Sequence, residues 1–211
     1  MSESSKMMEM ILRLENYNYP GLSNHGMRVA KFTRIILGEV AKSYPELALS
    51  EEEQNRIIDC SLLHDIGKKA LPEIVKGVGI QAKKDAKSIT ETHTLRGEEM
   101  AEILGIQLSN DYVSCLKDIC RYHHERYDGH GYPDGLRAGE IPVSAQVVGL
   151  ADAFDNMVSE RTFKHAMSCD EAYDAITNGE AGMFSPRLIS CFLRVKQEMT
   201  EAIEYNPIKV I

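Results

Sequence analysis

The 211-residue chain lacks several features that would place it in a specialised class of protein. It has no run of about 18 apolar residues, which excludes a transmembrane helix, and its first residues, MSESSKMMEMILRL, are too short and too polar for a signal peptide. A formal net charge of -8 lacks the basic excess of a protein that binds DNA or RNA duplexes. We therefore expect neither a membrane nor a nucleic-acid duplex as a partner, although local cations or metals could still hold a small phosphate substrate.

The cysteines show no CxxC spacing, and their number is odd (Cys60, Cys115, Cys120, Cys169 and Cys191). This pattern predicts reduced, mostly buried thiols in a cytoplasmic protein. A hydrophobic content of 43% and a charged content of 27% are ordinary for a globular domain, and the chain is long enough to bury a full core.

Helix signals dominate the chain, and no convincing period-two pattern, internal repeat or low-complexity stretch interrupts them. S-x-x-E capping boxes at Ser50 and Ser168, and a proline at position 186, mark three helix starts. We predict helices at residues 7–14, 25–44, 51–69, 93–104, 110–125, 143–159, 169–178 and 186–205. Gly105 is the expected C′ residue after the fourth of them, and residues 70–87 are left undecided, with partial helix as one option. The predicted fold class is all-α.

One stretch, HHERYDGHGYPDG, opens with two adjacent histidines and continues as a loop too rich in Gly, Asp and Pro to remain helical (His123 to Gly135). Imidazole is the commonest metal-binding side chain near neutral pH. A histidine pair at a surface helix end is also common, so the stretch becomes informative only if other segments supply further ligands.

Other segments do offer such ligands. HDIGK ends an apolar helix, where a buried imidazole beside a buried carboxylate is costly without partners that a metal would provide. Asp152 lies within an almost wholly apolar helix, although a carboxylate there could also reach solvent. The candidate metal ligands are His25, His64, Asp65, His93, His123, His124 and Asp152.

This donor set fits Mn, Fe, Co or Zn better than Ca or Mg. Seven candidates are too many for one tetrahedral zinc and suit two metals that share a bridging carboxylate. Two adjacent metals can clamp a phosphodiester and generate a bound hydroxide that attacks phosphorus in line. Lys68, close behind the HD pair, could neutralise a phosphate oxygen.

The order His, His-Asp, His, His-His, Asp, together with HDIGK and HHERYDGHGYPDGLRAGEIP, resembles the HD-GYP family, a branch of the HD phosphohydrolase superfamily. The likeness runs from about His25 to Phe192. It implies an all-α HD-domain bundle with a central metal site and a Gly-rich GYP loop. It also implies a metal-dependent phosphodiesterase that opens cyclic di-GMP to pGpG and, in some members, yields GMP.

The resemblance also implies roles for individual residues. One metal site matches His25, His64, Asp65 and Asp152, and the second matches Asp65, His93, His123 and His124, with Asp65 as the bridge. Catalysis and phosphate binding would involve Asp65 and Lys68, and further phosphate contacts would come from Arg161 and Lys164. The GYP loop (Gly131, Tyr132 and Pro133) would shape the site or dock a partner protein. Iron or manganese is the implied metal, with Zn, Ni or Co as alternatives.

The chain departs from the family pattern at three places. Some relatives carry a Glu four residues before the first His and bind a third metal, whereas this chain has Gly21, which favours a dinuclear site. The R-P-Y segment is Arg161-Thr162-Phe163, and the usual F-D-P is Phe184-Ser185-Pro186. The last two changes affect the expected substrate affinity more than the expected metal binding.

We expect an N-terminal helical extension at 1–22, an HD-GYP domain at 23–205 and a tail at 206–211, without a receiver, PAS or GAF domain. Regulation would then come from a partner, from the N-terminal segment or by another route. The main hypothesis is a phosphodiesterase of cyclic di-GMP or a related cyclic dinucleotide. The alternative is a catalytically weak cyclic-dinucleotide-binding or protein-interaction module that uses the GYP loop. A di-iron oxygenase, or a hydrolase of other nucleotides, is disfavoured by that loop.

Overall fold

The computed structural model describes residues 22–70, 91–105, 108–160 and 165–204, together with positions 2, 3, 5, 6 and 9. Within these ranges lie eight α-helices: α1 (Leu22–Ser43), α2 (Glu51–Ser61), α3 (His93–Leu104), α4 (Asn110–Tyr122), α5 (Val143–Val158), α6 (Cys169–Thr177), α7 (Pro186–Arg194) and α8 (Lys196–Glu204). Short 3-10 helices lie at Pro45–Leu47, Ile66–Ala70 and Ala138–Glu140. The described part of the chain contains no β-strand beyond an isolated bridge between Asp128 and Arg137, so the all-α prediction is confirmed. None of its helices is both long and apolar enough to cross a membrane.

Helix α1 is central, because it packs against α2, α5, α7 and α8. Its buried side chains recur every three or four residues, as an amphipathic helix requires: Val29, Phe32, Ile36, Leu37 and Val40. The apolar sequence of α5 is explained by its burial, since every residue from Val147 to Asp155 is buried. These two helices carry two of the candidate metal ligands, His25 on α1 and Asp152 on α5.

An aromatic cluster joins α5 to the C-terminal helices. The rings of Tyr173 and Phe192 stack with their centroids 4.0 Å apart, and Phe154 meets both rings edge-on. The ring of Phe32 on α1 also meets Phe154 edge-on, with the centroids 5.1 Å apart. Since all four rings are almost fully buried, the cluster fixes α5 relative to α1, α6 and α7.

The two predicted capping boxes are present. Ser50 and Ser168 each accept a hydrogen bond from a backbone N–H three residues later, and Glu53 and Glu171 accept from the Ser backbone in return. Pro186 occupies the first turn of α7 as expected, but its N-cap residue Ser185 makes no side-chain capping bond.

Replacing Ser168 with alanine is expected to lower the free energy of unfolding by about 1 kcal/mol, because the backbone N–H of Glu171 at the start of α6 loses its acceptor. Ser185→Ala is the matched control, since Ser185 makes no side-chain cap bond, and its effect should stay within about 0.5 kcal/mol. Urea titration measures both changes, and equal effects of the two substitutions would contradict the assigned cap.

Four predicted helix boundaries are wrong. Helix α1 begins at Leu22 rather than at residue 25. Helix α2 ends at Ser61 rather than near residue 69, because the backbone tightens to i+3 hydrogen bonds from Leu62 onward and continues as the 3-10 helix Ile66–Ala70. Helix α4 ends at Tyr122, so His123 and His124 follow the helix instead of lying in its last turn. The last predicted helix is two helices, because the backbone leaves helical geometry at Val195 (φ -94, ψ 11).

Gly105 also differs from its predicted role. It caps α3 with a right-handed φ of -63 rather than in a left-handed C′ conformation. A Cβ at this position would lie 2.4 Å from the side chain of Val113 on α4. Close packing between α3 and α4 is therefore the physical requirement for glycine here.

Some predictions lie outside the described residues: the helix at 7–14 apart from Glu9, the undecided segment after Ala70, and the positions of Gly21, Arg161 and Lys164. The domain boundaries proposed from the sequence remain predictions.

Candidate metal centre

The seven candidate ligands come from five places in the fold and meet in one region. His25 lies in the first turn of α1, and Asp152 lies in the buried part of α5. His64 and Asp65 occupy the tight turn after α2, His93 begins α3, and His123 with His124 follows α4. The donor atoms form two groups, each with separations below 4.8 Å: Asp65, His93, His123 and His124 in one, and His25, His64 and Asp65 in the other.

Asp65 belongs to both groups because its two oxygens face opposite sides. Oδ1 lies 3.3 Å from Nε2 of His93 and 3.7 Å from Nε2 of His123. Oδ2 lies 3.6 Å from Nε2 of His25 and 3.5 Å from Nε2 of His64. One buried carboxylate thus stands between two sets of imidazoles, which is the arrangement a bridging ligand requires.

Asp152 approaches the group of His25 and His64 from α5. Its Oδ1 lies 3.2 Å from Nε2 of His25 and 3.6 Å from Nε2 of His64, and it also accepts a hydrogen bond from the amide of Asn156. Within the other group, the Nε2 atoms of His93 and His123 are 3.5 Å apart. His124 packs its ring against both of those imidazoles.

These separations fit donors around a metal ion. Two donor atoms bound at about 2.1 Å to one ion, at angles of about 90–110°, lie about 3.0–3.4 Å apart. Nε2 of His25, Nε2 of His64 and Oδ1 of Asp65 are also buried without a hydrogen-bond partner. Among the described residues, one other buried side-chain atom, Oγ1 of Thr33, also has no partner. Buried polar atoms in proteins almost always have a partner, so three such atoms within one group of candidate ligands favour a divalent metal as the missing partner.

Electrostatics around the site agree with ligation. Burial opposes ionisation of Asp65 and Asp152, but neighbouring histidines outweigh it and hold the pKa of each carboxyl well below its usual range. Burial lowers the pKa of His123 and of His124, which favours the neutral imidazole that a metal needs.

His25 has the opposite shift. Burial lowers its pKa, but close contacts with Asp152, Asp155 and Asp65 outweigh burial and raise the pKa to about 11. The three carboxylates thus favour a positive charge at this position, and a bound divalent cation would also supply one.

Backbone carbonyls orient two of the imidazoles. Nδ1 of His64 lies 2.8 Å from the carbonyl of Ser61, and Nδ1 of His123 lies 2.9 Å from the carbonyl of Ile119. When Nδ1 carries the proton and donates it to these carbonyls, the lone pair of Nε2 faces the centre of the site.

The wall beside His124 is formed by the GYP loop. Tyr132 stacks on the His124 ring at 4.7 Å. The buried carboxylate of Glu125 accepts backbone hydrogen bonds from Asp134, Gly135 and Leu136. Sequence reasoning did not assign a role to Glu125, and its adjacency to the histidine pair was the only available signal.

Lys68 lies at the edge of the site, where its ammonium contacts Oδ2 of Asp65 while 41% of its side chain remains exposed. The remaining two histidines lie away from the ligand groups: His130 is exposed and pairs with Asp128, and His165 is exposed. The cysteines are free thiols, three of them buried.

Comparison with protein families identifies the fold. A model described as an HD domain matches residues 7–188. The chain belongs to the HD domain family. Membership confirms the HD phosphohydrolase resemblance seen in the sequence, and this family implies divalent metal binding, for which the His/Asp cluster could serve.

The HD domain has curated relatives. It is 32% identical over 198 residues to a cyclic di-GMP phosphodiesterase of Thermotoga maritima, covering 93% of this chain and 50% of the relative. It is 35% identical over 156 residues to a cyclic di-GMP phosphodiesterase response regulator of Xanthomonas campestris, covering 74% of this chain and 40% of the relative. The chain therefore spans half or less of the length of these two relatives.

A solved structure shares the HD fold. An HDG"Y"P protein from Bdellovibrio bacteriovorus superposes with a TM-score of 0.57 at 19% sequence identity, covering 87% of this chain and 52% of that chain. At this identity the likeness supports the helical architecture alone.

Proposed function

We propose that this HD domain is a metal-dependent phosphodiesterase that opens cyclic di-GMP to the linear dinucleotide pGpG. The observation that carries the proposal is the two-sided environment of Asp65, with one oxygen facing His93 and His123 and the other facing His25 and His64. Two curated relatives named as cyclic di-GMP phosphodiesterases support the substrate.

Two metal positions are proposed. His25, His64, Asp65 and Asp152 would hold one ion, and Asp65, His93, His123 and His124 would hold the other. Iron or manganese is the preferred occupant because the HD-GYP resemblance implies them, and the mixed imidazole and carboxylate donors also accept Zn, Ni or Co. When bound, such ions supply Lewis acidity to the phosphodiester and lower the pKa of a water nucleophile.

The chain's own residues would divide the remaining work. Asp65 would stay ionised, and its two oxygens would fix the spacing between the two groups of histidines. The partly exposed ammonium of Lys68 would leave Asp65 and stabilise charge that develops on a phosphate oxygen. Tyr132, stacked on His124, would limit the space beside the scissile phosphate.

Arg161 and Lys164 are proposed as further phosphate contacts on the strength of the family resemblance. A protein partner at the GYP loop and the release of GMP by a second cleavage remain predictions of the same kind. The cytoplasmic location remains a prediction from the cysteine pattern.

Lys68→Ala is expected to lower kcat/KM for cyclic di-GMP about 10- to 100-fold, because removing one preorganised charge from a phosphoryl-transfer site costs roughly 2 kcal/mol. Both metals should remain bound. Lys117→Ala is the control, since Lys117 pairs with Glu102 outside the site. A Lys68→Ala protein with unchanged kinetics would contradict the assigned role.

The direct test is turnover of cyclic di-GMP by anaerobically purified protein loaded with Mn or Fe, with products separated by chromatography. We expect pGpG to form in a metal-dependent manner and to disappear with chelator. Tight binding of cyclic di-GMP without any product, under both metals and both redox states of iron, would contradict the proposal and favour a binding module.

A further inference from the structure

The ring of His25 lies between two carboxylates that are three residues apart on α5. Nε2 lies 3.2 Å from Oδ1 of Asp152, which belongs to the proposed ligand set. Nδ1 lies 2.8 Å from Oδ2 of Asp155, which does not belong to it. The two ring nitrogens therefore have different partners, and only the Asp152 side faces Asp65.

Asp155 belongs to neither group of candidate ligands and is held by donors from two other residues. Its carboxylate has no solvent exposure, and Arg28 donates from Nε to Oδ1 at 2.6 Å and from a terminal nitrogen to Oδ2 at 2.9 Å. Ser159 also donates to Oδ1 at 3.2 Å. These donors fix the position of the carboxylate, and Oδ2 also accepts from Nδ1 of His25.

The helix geometry explains why one carboxylate meets both side chains. His25 and Arg28 are three residues apart on α1, so they lie on the same face of that helix. This face packs on α5, and it brings an imidazole and a guanidinium to Asp155 together. A bidentate guanidinium also fixes the plane of the carboxylate, which a lysine could not do.

We infer that Asp155, clamped by Arg28, is a positioning residue that orients His25 and sets the affinity of the metal position formed with His64 and Asp152. The inference deepens the proposed function, because it rests on His25 being a metal ligand. A carboxylate that accepts from the far nitrogen of a ligating imidazole fixes the ring and increases its basicity, and its loss typically weakens metal binding about 10- to 100-fold.

The orienting partner of His25 differs in kind from those of His64 and His123. His64 and His123 are oriented by backbone carbonyls, which no side-chain substitution removes. His25 is oriented by a charged side chain from another helix. A substitution at Asp155 should therefore weaken one metal position and leave the other, formed with His93 and His123, unchanged.

The test is competition for Zn²⁺ between the metal-free protein and a chromophoric chelator, with Asp155→Asn as the variant. Asparagine keeps the shape and an acceptor but removes the charge. We expect two affinities in the parent protein, one of which falls about 10- to 100-fold in the variant while the other changes less than about twofold. Arg28→Lys should weaken the same affinity by a smaller factor, since it keeps the charge and loses the bidentate geometry.

Controls separate positioning from a general structural effect. Asp59→Asn replaces a half-buried aspartate that accepts from Tyr112 outside the ligand set, and it should change neither affinity. His25→Ala and His93→Ala identify which affinity belongs to which position. Equal weakening of both affinities by Asp155→Asn, or no weakening, would overturn the positioning role.

The outcome for His25→Ala distinguishes this inference from the proposed function. If His25→Ala weakens neither affinity, the ligand assignment in the proposed function is wrong. If His25→Ala weakens one affinity and Asp155→Asn does not, the ligand assignment stands and only the positioning role of Asp155 is wrong.

Discussion

Replacing Asp65 with alanine is expected to abolish binding of both metals and to lower cyclic di-GMP turnover more than about a thousandfold. The reason is geometric, since Oδ1 faces His93 and His123 while Oδ2 faces His25 and His64. By contrast, loss of a ligand that serves only one metal position, such as His93, would leave the metal at the other position bound. Metal analysis and the rate of pGpG formation, measured on the same preparation, check the expectation.

The control for Asp65→Ala is Asp111→Ala, which removes an exposed aspartate that pairs with Arg56 outside the site. It should keep both metals and full turnover. Circular dichroism confirms that each variant is folded, and Asp65→Asn repeats the test with a side chain of nearly the same shape. An Asp65 variant that is folded and retains one metal would contradict the bridging role.

Gly67→Ala is expected to lower the free energy of unfolding by more than about 3 kcal/mol and to remove the metal held with His93. A Cβ on Gly67 would lie 1.9 Å from the carbonyl oxygen of His93 and 2.4 Å from the backbone nitrogen of Gly97. These contacts are with backbone atoms of α3, so no side-chain rotation relieves them. The helix would have to move, and His93 would move with it away from Asp65.

Gly38→Ala is the matched control for this substitution. Gly38 lies within α1, and a Cβ there would meet no heavy atom within 4 Å. Alanine should therefore stabilise the protein by up to about 1 kcal/mol through its higher helix propensity. Urea unfolding and metal content check both variants, and a Gly67→Ala protein as stable as Gly38→Ala would contradict the close approach.

Much of the helical architecture could be predicted from local patterns. Capping boxes at Ser50 and Ser168 place two helix starts, and the apolar run around Asp152 predicts α5 over almost its full length. The start of α3 at His93 and its last residue, Leu104, also match. These signals succeed because they depend on residues a few positions apart.

Helix interruptions could not be predicted in the same way. Leu188, Phe192, Val195 and Met199 are all buried at helical spacing, so the apolar period continues unchanged through the break at Val195. The tight turn at His64 and Asp65 likewise lies inside an apolar run. Periodicity reports which side is buried, and it does not report a change from i+4 to i+3 hydrogen bonding.

In the candidate site, too, some residues could be predicted from the sequence and others could not. The histidines and aspartates that the structure brings together could be proposed from residue type and order. Asp155 and Arg28 could not be assigned, because an arginine and an aspartate carry no metal-binding pattern of their own, and only the packing of α1 on α5 brings them together. Glu125 is likewise explained only by the loop backbone that it holds.

Anomalous diffraction from crystals of the manganese-loaded protein tests the central claim most directly. The account predicts two strong peaks in each chain, one on either side of the Asp65 carboxylate. One peak should lie among His25, His64 and Asp152, and the other among His93, His123 and His124. A single peak, or two peaks that do not share Asp65, would contradict the account.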